Sequence, residues 1–255
     1  MRKLKKICSY PGFIFGSKMR EIYSSLIYNW ILHIQSKPLS ENTKTAIVFA
    51  PHQDDETFGC GGIIALKRAR KIPVKVVFMT DGTGLRPEWI KAEEMIDIRQ
   101  EEAIKALNFL GLEPSAIKFL SHKDGSLTRL SSQKREEIVS ELAVLIREFN
   151  PGEIYLPHHN DRHVEHEATY ELVEEAILIS GIVVELLQYP VWMFWQNPLY
   201  SNLKFQEISS SYRIPICSVQ YQKKQAIASY DSQVKTLPPG FLNRFFSSYE
   251  IFIKN

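Results

Sequence analysis

The chain has 255 residues, of which 44% are hydrophobic and 24% charged, enough apolar side chain for one sizeable core and too much for a disordered polymer. Its 31 basic residues nearly balance 29 acidic ones, so the net charge of +2 leaves no broad cationic face and argues against nucleic acid as a partner. Cys8, Cys60 and Cys217 lack CxxC spacing, which argues against a disulfide framework and a cysteine-built zinc centre and fits a reducing, cytoplasmic compartment.

Residues 1–43 read as an N-terminal extension to a single domain spanning 44–255. Arg2, Lys3, Lys5 and Lys6 precede an apolar but interrupted stretch through Pro11 to Trp30. No small-residue cleavage site follows a compact apolar region, and Asn29 and His33 break the later apolar run short of the roughly 20 residues of a spanning helix. Ile22, Leu26, Ile27, Trp30 and Ile31 fall at helical spacing. An amphipathic helix of this kind either packs on the domain or lies in a membrane interface as a peripheral contact.

From Lys44 onward, short apolar runs alternate with longer periodic segments, the pattern of strands joined by crossover helices. Strands are expected over 45–51, 74–80, 117–121, 153–157 and 183–189. Helices are expected over 61–70, 88–110, 132–149 and 168–179, with Gly111 stopping the second. The fold class that results is α/β: a doubly wound, mostly parallel, Rossmann-like sheet. A short, irregular C-terminal α+β portion follows, with a helix around 223–229. Ligands of such sheets bind outside the carboxyl ends of the strands, where the strand order reverses.

Two motifs sit at those ends. His52-Gln53-Asp54-Asp55-Glu56 follows the first buried strand and precedes Gly59-Cys60-Gly61-Gly62. Imidazole with carboxylate suits zinc or a related divalent ion, and adjacent acids in one turn face different ways, so one can hold a metal while its neighbour takes a proton. A merely solvated acidic turn is the plain alternative. The second cluster, His158-His159-Asn160-Asp161-Arg162-His163-Val164-Glu165-His166, holds four of the seven histidines and follows the fourth strand. Loops at the ends of two parallel strands open on one sheet edge, so the two clusters can build a three-ligand site with an open position, the arrangement of a catalytic zinc.

With Thr80-Asp81-Gly82, the Arg99-x-x-Glu102-x-x-x-Ala106 helix and Lys223-x-x-Ala226-Ile227-x-x-Tyr230-x-Ser232-Gln233, these motifs resemble the PIG-L/LmbE family of zinc-dependent N-acetylglucosamine de-N-acetylases. The likeness runs from about Thr45 to the C-terminus. It implies His52, Asp55 and His166 as metal ligands, Asp54 as general base, and His163 as the group that stabilises the oxyanion or protonates the departing amine. The implied cofactor is Zn2+, with Fe2+ or cobalt compatible with the same donors, and the implied partner is an N-acetylated amino-sugar conjugate. Arg99 resembles a family position that contacts the sugar or an anionic aglycone; an ion pair with Glu101 or Glu102 is its plain reading. Asp81 and Asp124, each followed by glycine at a strand end, are candidates for sugar hydroxyls or simple turn formers. Two positions depart from the family pattern: Gln53 stands for proline, and Glu165 stands for an aspartate expected to orient a histidine of the site.

Other readings use the same residues. Another metallohydrolase, such as a phosphoesterase, would commonly pair two metals with more carboxylates. A catalytically silent carbohydrate-binding relative would not need every ligand and the base. A nucleotide-binding loop at Gly59–Gly62 is disfavoured, since it lacks GxGxxG spacing and follows three acids, so no nucleotide cofactor is expected. Tyr189, Trp192, Phe194, Trp195 and Tyr200 could stack on a sugar or hold a lipid, or serve as core and lid packing.

Overall fold

The computed structural model describes residues 11–40, 43–84, 86, 89–201 and 203–254, so the basic run, Cys8 and the expected helix start at Glu88 lie outside the described residues. Five short runs form the parallel part of the sheet, β2 (Ala46–Ala50), β3 (Val74–Thr80), β4 (Ile117–His122), β5 (Glu153–Pro157) and β6 (Glu185–Tyr189), with β2, β3 and β5 almost wholly buried. Because side chains alternate along a strand, Val48 and Ala50 of β2 enter one core layer with Phe58, Ala103 and Leu107, whereas Ile47 and Phe49 enter the other with Val139, Leu142 and Val173.

The first layer is covered by α2 (Asp55–Ala69), α3 (Ala92–Phe109) and α7 (Gln220–Ser229); the second by α4 (Ser132–Phe149) and α5 (Val164–Ser180). After β6 the chain adds α6 (Phe205–Ile208), β7 (Ser211–Pro215), α7, α8 (Asp231–Val234) and finally β8 (Tyr249–Ile253). With the short edge strand β1 (Lys37–Pro38), the sheet order is β1-β7-β8-β6-β5-β2-β3-β4, and β8 runs antiparallel to both its neighbours. Chain order therefore reverses between β2 and β5, which places the two motif loops side by side at the carboxyl edge. The C-terminal part is more regular than its sequence suggests, since β7 and β8 extend the sheet.

The segment ahead of residue 44 joins the same body. Helix α1 (Pro11–Trp30) continues through a π-helical turn, Ile31–Gln35, into β1, which pairs in parallel with β7. Ile31 and Leu32 pack with Met193, Phe194 and Ile208. Ser17 Oγ donates to Pro239 O at 3.0 Å, and Tyr28 OH to Tyr249 O at 2.8 Å. No described helix is long and apolar enough to cross a membrane.

The glycine run in α2 exists for close approach. Buried Lys223 donates to Phe58 O at 2.9 Å and pairs with Glu250 at 2.6 Å, while Glu250 accepts from Gly62 N and Ile63 N. A β-carbon on Gly62 would land on Ile216 and come within 2.9 Å of the Glu250 carboxyl. Alanine in a helix interior normally stabilises relative to glycine. Here Gly62→Ala is expected to destabilise by about 1–3 kcal/mol through overpacking, which urea unfolding would measure; an unchanged or raised midpoint would refute the close contact.

Candidate active site

His52 leaves the buried end of β2 through Pro51 and enters a turn whose last residue, Asp54, caps α2 with φ 155°, a conformation side chains rarely adopt. Four hydrogen bonds hold it there. Asp54 N donates to Glu56 Oε2 at 3.1 Å, Thr57 N and Phe58 N donate to Asp54 O, and Gln233 Nε2 donates to Gln53 O. Glu56 is gripped in turn by the hydroxyls of Tyr230 and Thr57. Asp55 and Glu56 occupy the first turn of α2, where the helix dipole favours negative charge. The helix thus begins within the motif, six residues before its expected start.

Opposite, His163 caps α5 and His166 lies in its first turn, fully buried. Asp55 Oδ2 stands 3.1 Å from His52 Nδ1 and 3.2 Å from His166 Nε2. Donor nitrogens of His52, His163 and His166 lie within 4.8 Å of one another. The other two clustered histidines are elsewhere employed: His158 Nδ1 accepts from Asn160 N, and His159 Nδ1 pairs with Gln188 Oε1 at 3.0 Å.

The electrostatics of the cluster call for a cation. Burial opposes charge on His52, yet Asp124 and Asp55 outweigh it and lift the imidazole to about 10; Asp55 and Asp161 likewise lift His166 to about 9 against its burial. Asp55 is held below the usual carboxylate range despite burial, by His166 and His52. Burial and the adjacent Asp55 push Asp54 upward. His166 Nε2 is buried and makes no hydrogen bond, although Asp55 is near. Two imidazoles and a carboxylate around an unsatisfied nitrogen fit a divalent ion, whose charge replaces the protons that the bare cluster attracts.

Around this centre lies a cleft of about 650 Å³, lined by Asp54, Arg99, Asp124, His163, Trp192 and Phe241 among others. Trp192 lies near-parallel to the His163 ring at 6.2 Å and packs on Phe241 at 4.3 Å. Arg99 reaches the cleft from α3 and donates to Gln233 Oε1 at 2.9 Å; Glu102, an alternative partner in sequence, instead binds Ser232. Gln53, replacing proline, donates to Thr80 O at 2.8 Å and so ties the motif turn to the end of β3.

Three expectations need correction or completion. Asp81 is turned into its loop, where Oδ1 accepts from Thr83 N, Thr83 Oγ1 and Asp124 N, and it does not line the cleft. Glu165 Oε1 accepts from Leu127 N at 3.1 Å rather than from a histidine, and a carboxylate oxygen of Glu165 lies within 4.8 Å of donor atoms of His52 and Asp124. The orienting role expected of it falls to Asp161, which the sequence reading missed. Fully buried, its Oδ2 lies 2.7 Å from His166 Nδ1, and its Oδ1 accepts from Val191 N and Met193 N. Trp192 N donates to the same carboxylate. Asp124 does line the cleft, but it also faces His52 Nε2 at 3.4 Å and accepts from Gly84 N, contacts that hold it at about 2 although burial opposes its ionisation.

A doubly wound sheet with a histidine and carboxylate cluster at its strand-order reversal defines a class, α/β proteins with a metal-type site at the carboxyl edge of the sheet. Within that class, the model of the PIG-L family, GlcNAc-PI de-N-acetylase, matches residues 47–177, and the chain belongs to that family. It is similar to the "probable N-acetyl-alpha-D-glucosaminyl L-malate deacetylase 2" of Bacillus anthracis, 28% identical over 149 residues that make up 54% of this chain and 61% of that protein. The chain thus spans about three fifths of the length of the curated relatives it matches first. Among solved structures, N,N'-diacetylchitobiose deacetylase from Pyrococcus horikoshii superposes with a TM-score of 0.61 at 21% identity, covering 88% of this chain and 81% of that one. The 4-carboxy-2-hydroxymuconate hydratase of Pseudomonas putida does so with 0.62 at 20%, covering 79% and 82%. Both likenesses establish the fold alone, and a deacetylase and a hydratase share it, so the chemistry rests on the site's own residues.

Proposed function

We propose that the chain hydrolyses the N-acetyl amide of an N-acetylglucosamine-type conjugate, using a divalent ion held by His52 Nδ1, an oxygen of Asp55 and His166 Nε2. The observation that carries this reading is the packing of Asp55 Oδ2 within 3.1 Å of His52 Nδ1 and 3.2 Å of His166 Nε2, in the wall of the cleft that Asp54 lines. A zinc ion suits the donors, and iron(II) is compatible with them. When bound, the ion supplies polarisation of the amide carbonyl and a lowered pKa for the attacking water.

The residues then divide the remaining work. Asp54 takes the proton from water as its oxygen bonds to the acetyl carbon, and returns a proton to nitrogen as the C–N bond breaks, releasing acetate and the free amine. His163, beside His52 and His166 and against Trp192, donates a hydrogen bond to the oxyanion that develops on the carbonyl oxygen. Arg99, steadied by Gln233, and the Trp192 and Phe241 rings supply the polar and apolar walls for the sugar, whose faces suit aromatic packing. Asp124 serves chiefly to orient His52 through Nε2, with its remaining lone pairs open to a sugar hydroxyl.

Acetate release from a panel of N-acetylglucosamine conjugates tests the reading. Activity is expected to vanish when the protein is stripped with a chelator and to return when zinc or iron(II) is restored. A folded, metal-loaded protein that releases no acetate from any conjugate would refute the reaction class and favour a silent sugar-binding role.

A further inference from the structure

Helix α1 packs Ile27, Tyr28 and Trp30 on the domain, yet it leaves other large apolar side chains outside. Toward the domain it lays Ser17 and Ser24, only 7% and 3% exposed, while Ile22 and Leu26, one turn apart, face solvent at 52% and 65%. Two residues distant in sequence extend this apolar face. The hydrogen bond between Tyr23 and Ser201, 2.5 Å, brings Leu199 alongside, and Phe205 places its ring 6.2 Å from Trp30; they are 74% and 59% exposed. These four exposed apolar side chains, with exposed Lys18, Ser25 and Asn29 beside them on α1, make a mixed surface of the kind an interfacial helix presents.

Charge identifies what it meets. Residues 1–30 carry six basic side chains, Arg2, Lys3, Lys5, Lys6, Lys18 and Arg20, against one acidic, Glu21, whereas the whole chain is only +2, so the remainder is net negative. Lys18 pairs with Glu21, but Arg20 is exposed on α1 and Lys204 is exposed next to Phe205. A second copy would carry the same net-positive N-terminal sequence, a like charge that disfavours self-association. A negatively charged surface into which a few apolar side chains can sink satisfies both features.

We propose that the Ile22/Leu26 face of α1, with Leu199 and Phe205, is a peripheral docking surface for an anionic phospholipid bilayer, the helix lying in the interface plane. The helix is fastened to the wall of the cleft: Ser17 to Pro239, and Glu21 accepting from Asn243 at 2.8 Å, flank Phe241, which lines the cleft with Thr236 and Leu237. Docking therefore sets the cleft wall close to the lipid headgroups. The proposal does not rest on the deacetylase reading, and its test needs no turnover.

The full chain is to be sedimented with vesicles of phosphatidylcholine alone and of phosphatidylcholine mixed with phosphatidylglycerol. Binding to the anionic vesicles is expected, weakened by salt, with little to the neutral ones. Ile22→Ser/Leu26→Ser is expected to lower that partition by about tenfold or more, since each buried aliphatic group contributes substantially to insertion. Leu199→Ser/Phe205→Ser, on separate elements, should act in the same direction, and both pairs should keep the parental urea unfolding midpoint. Absence of anionic binding, or binding indifferent to both pairs, would overturn the proposal. So would a concentration-dependent dimer that either pair dissolves, which would assign the face to a second copy.

Discussion

Asp54→Asn is expected to reduce turnover by roughly 10²–10⁴-fold, the usual range for removing a positioned general base, while metal content and fold remain close to those of the parent. The side chain keeps its size, and the contacts that hold its backbone at φ 155° involve Asp54 N and O, which the change leaves alone. The three groups assigned to the ion, His52, Asp55 and His166, are also untouched. What disappears is a carboxylate able to accept a proton at the cleft wall. The appropriate measurements are kcat from acetate release and bound metal by atomic emission, on the same preparation. Near-normal turnover with metal bound would remove Asp54 from the role of base; loss of metal together with turnover would instead make Asp54 part of the ion's own coordination.

The regular frame was legible because it is locally encoded. The runs 74–80, 132–149 and 153–157 appear in the structure as read, each an apolar or periodic segment bounded by turn residues such as Asp81-Gly82 and Asn150. Helix starts were less legible where function intrudes: α2 begins at Asp55 and α5 at Val164, so the residues that read as loop are first helical turns aiming Asp55 and His166 at a common point. Strands β1, β7 and β8 escaped because they are short, partly polar and paired with partners far away in sequence, so their pattern carries little signal before the sheet exists. The candidate ligands were found because imidazoles and acids are scarce and clustered. Asp161 stood within the same cluster, but its purpose depends on backbone donors some thirty residues downstream, in a loop whose position no spacing encodes. The one available signal was a carboxylate in a histidine-rich loop, a frequent orienter of metal-binding imidazole.

Asp161 accordingly carries the second large expectation. As an acceptor-only group 2.7 Å from His166 Nδ1, it requires the hydrogen to sit on Nδ1 and leaves the lone pair of Nε2 directed toward Asp55. The amide introduced by Asp161→Asn can still accept from Val191 N and Met193 N through its carbonyl oxygen, but it then presents an N–H to His166. That donor favours the opposite tautomer, with the hydrogen on Nε2, where it blocks metal binding. Zinc affinity is expected to fall about 10–100-fold, with only a modest change in the stability of the metal-free protein. Asp161→Ala should do more, because the backbone donors of Val191, Trp192 and Met193 lose their buried acceptor, and a loss of about 3–5 kcal/mol is expected. The Trp192 wall of the cleft should loosen with it, raising KM as well as lowering kcat. Zinc titration against a competing chelator, paired with urea unfolding of the metal-free proteins, separates the two effects. Parental zinc affinity in Asp161→Asn would mean that His166 is oriented by its packing alone, and that the carboxylate is only the clamp of the 191–193 loop.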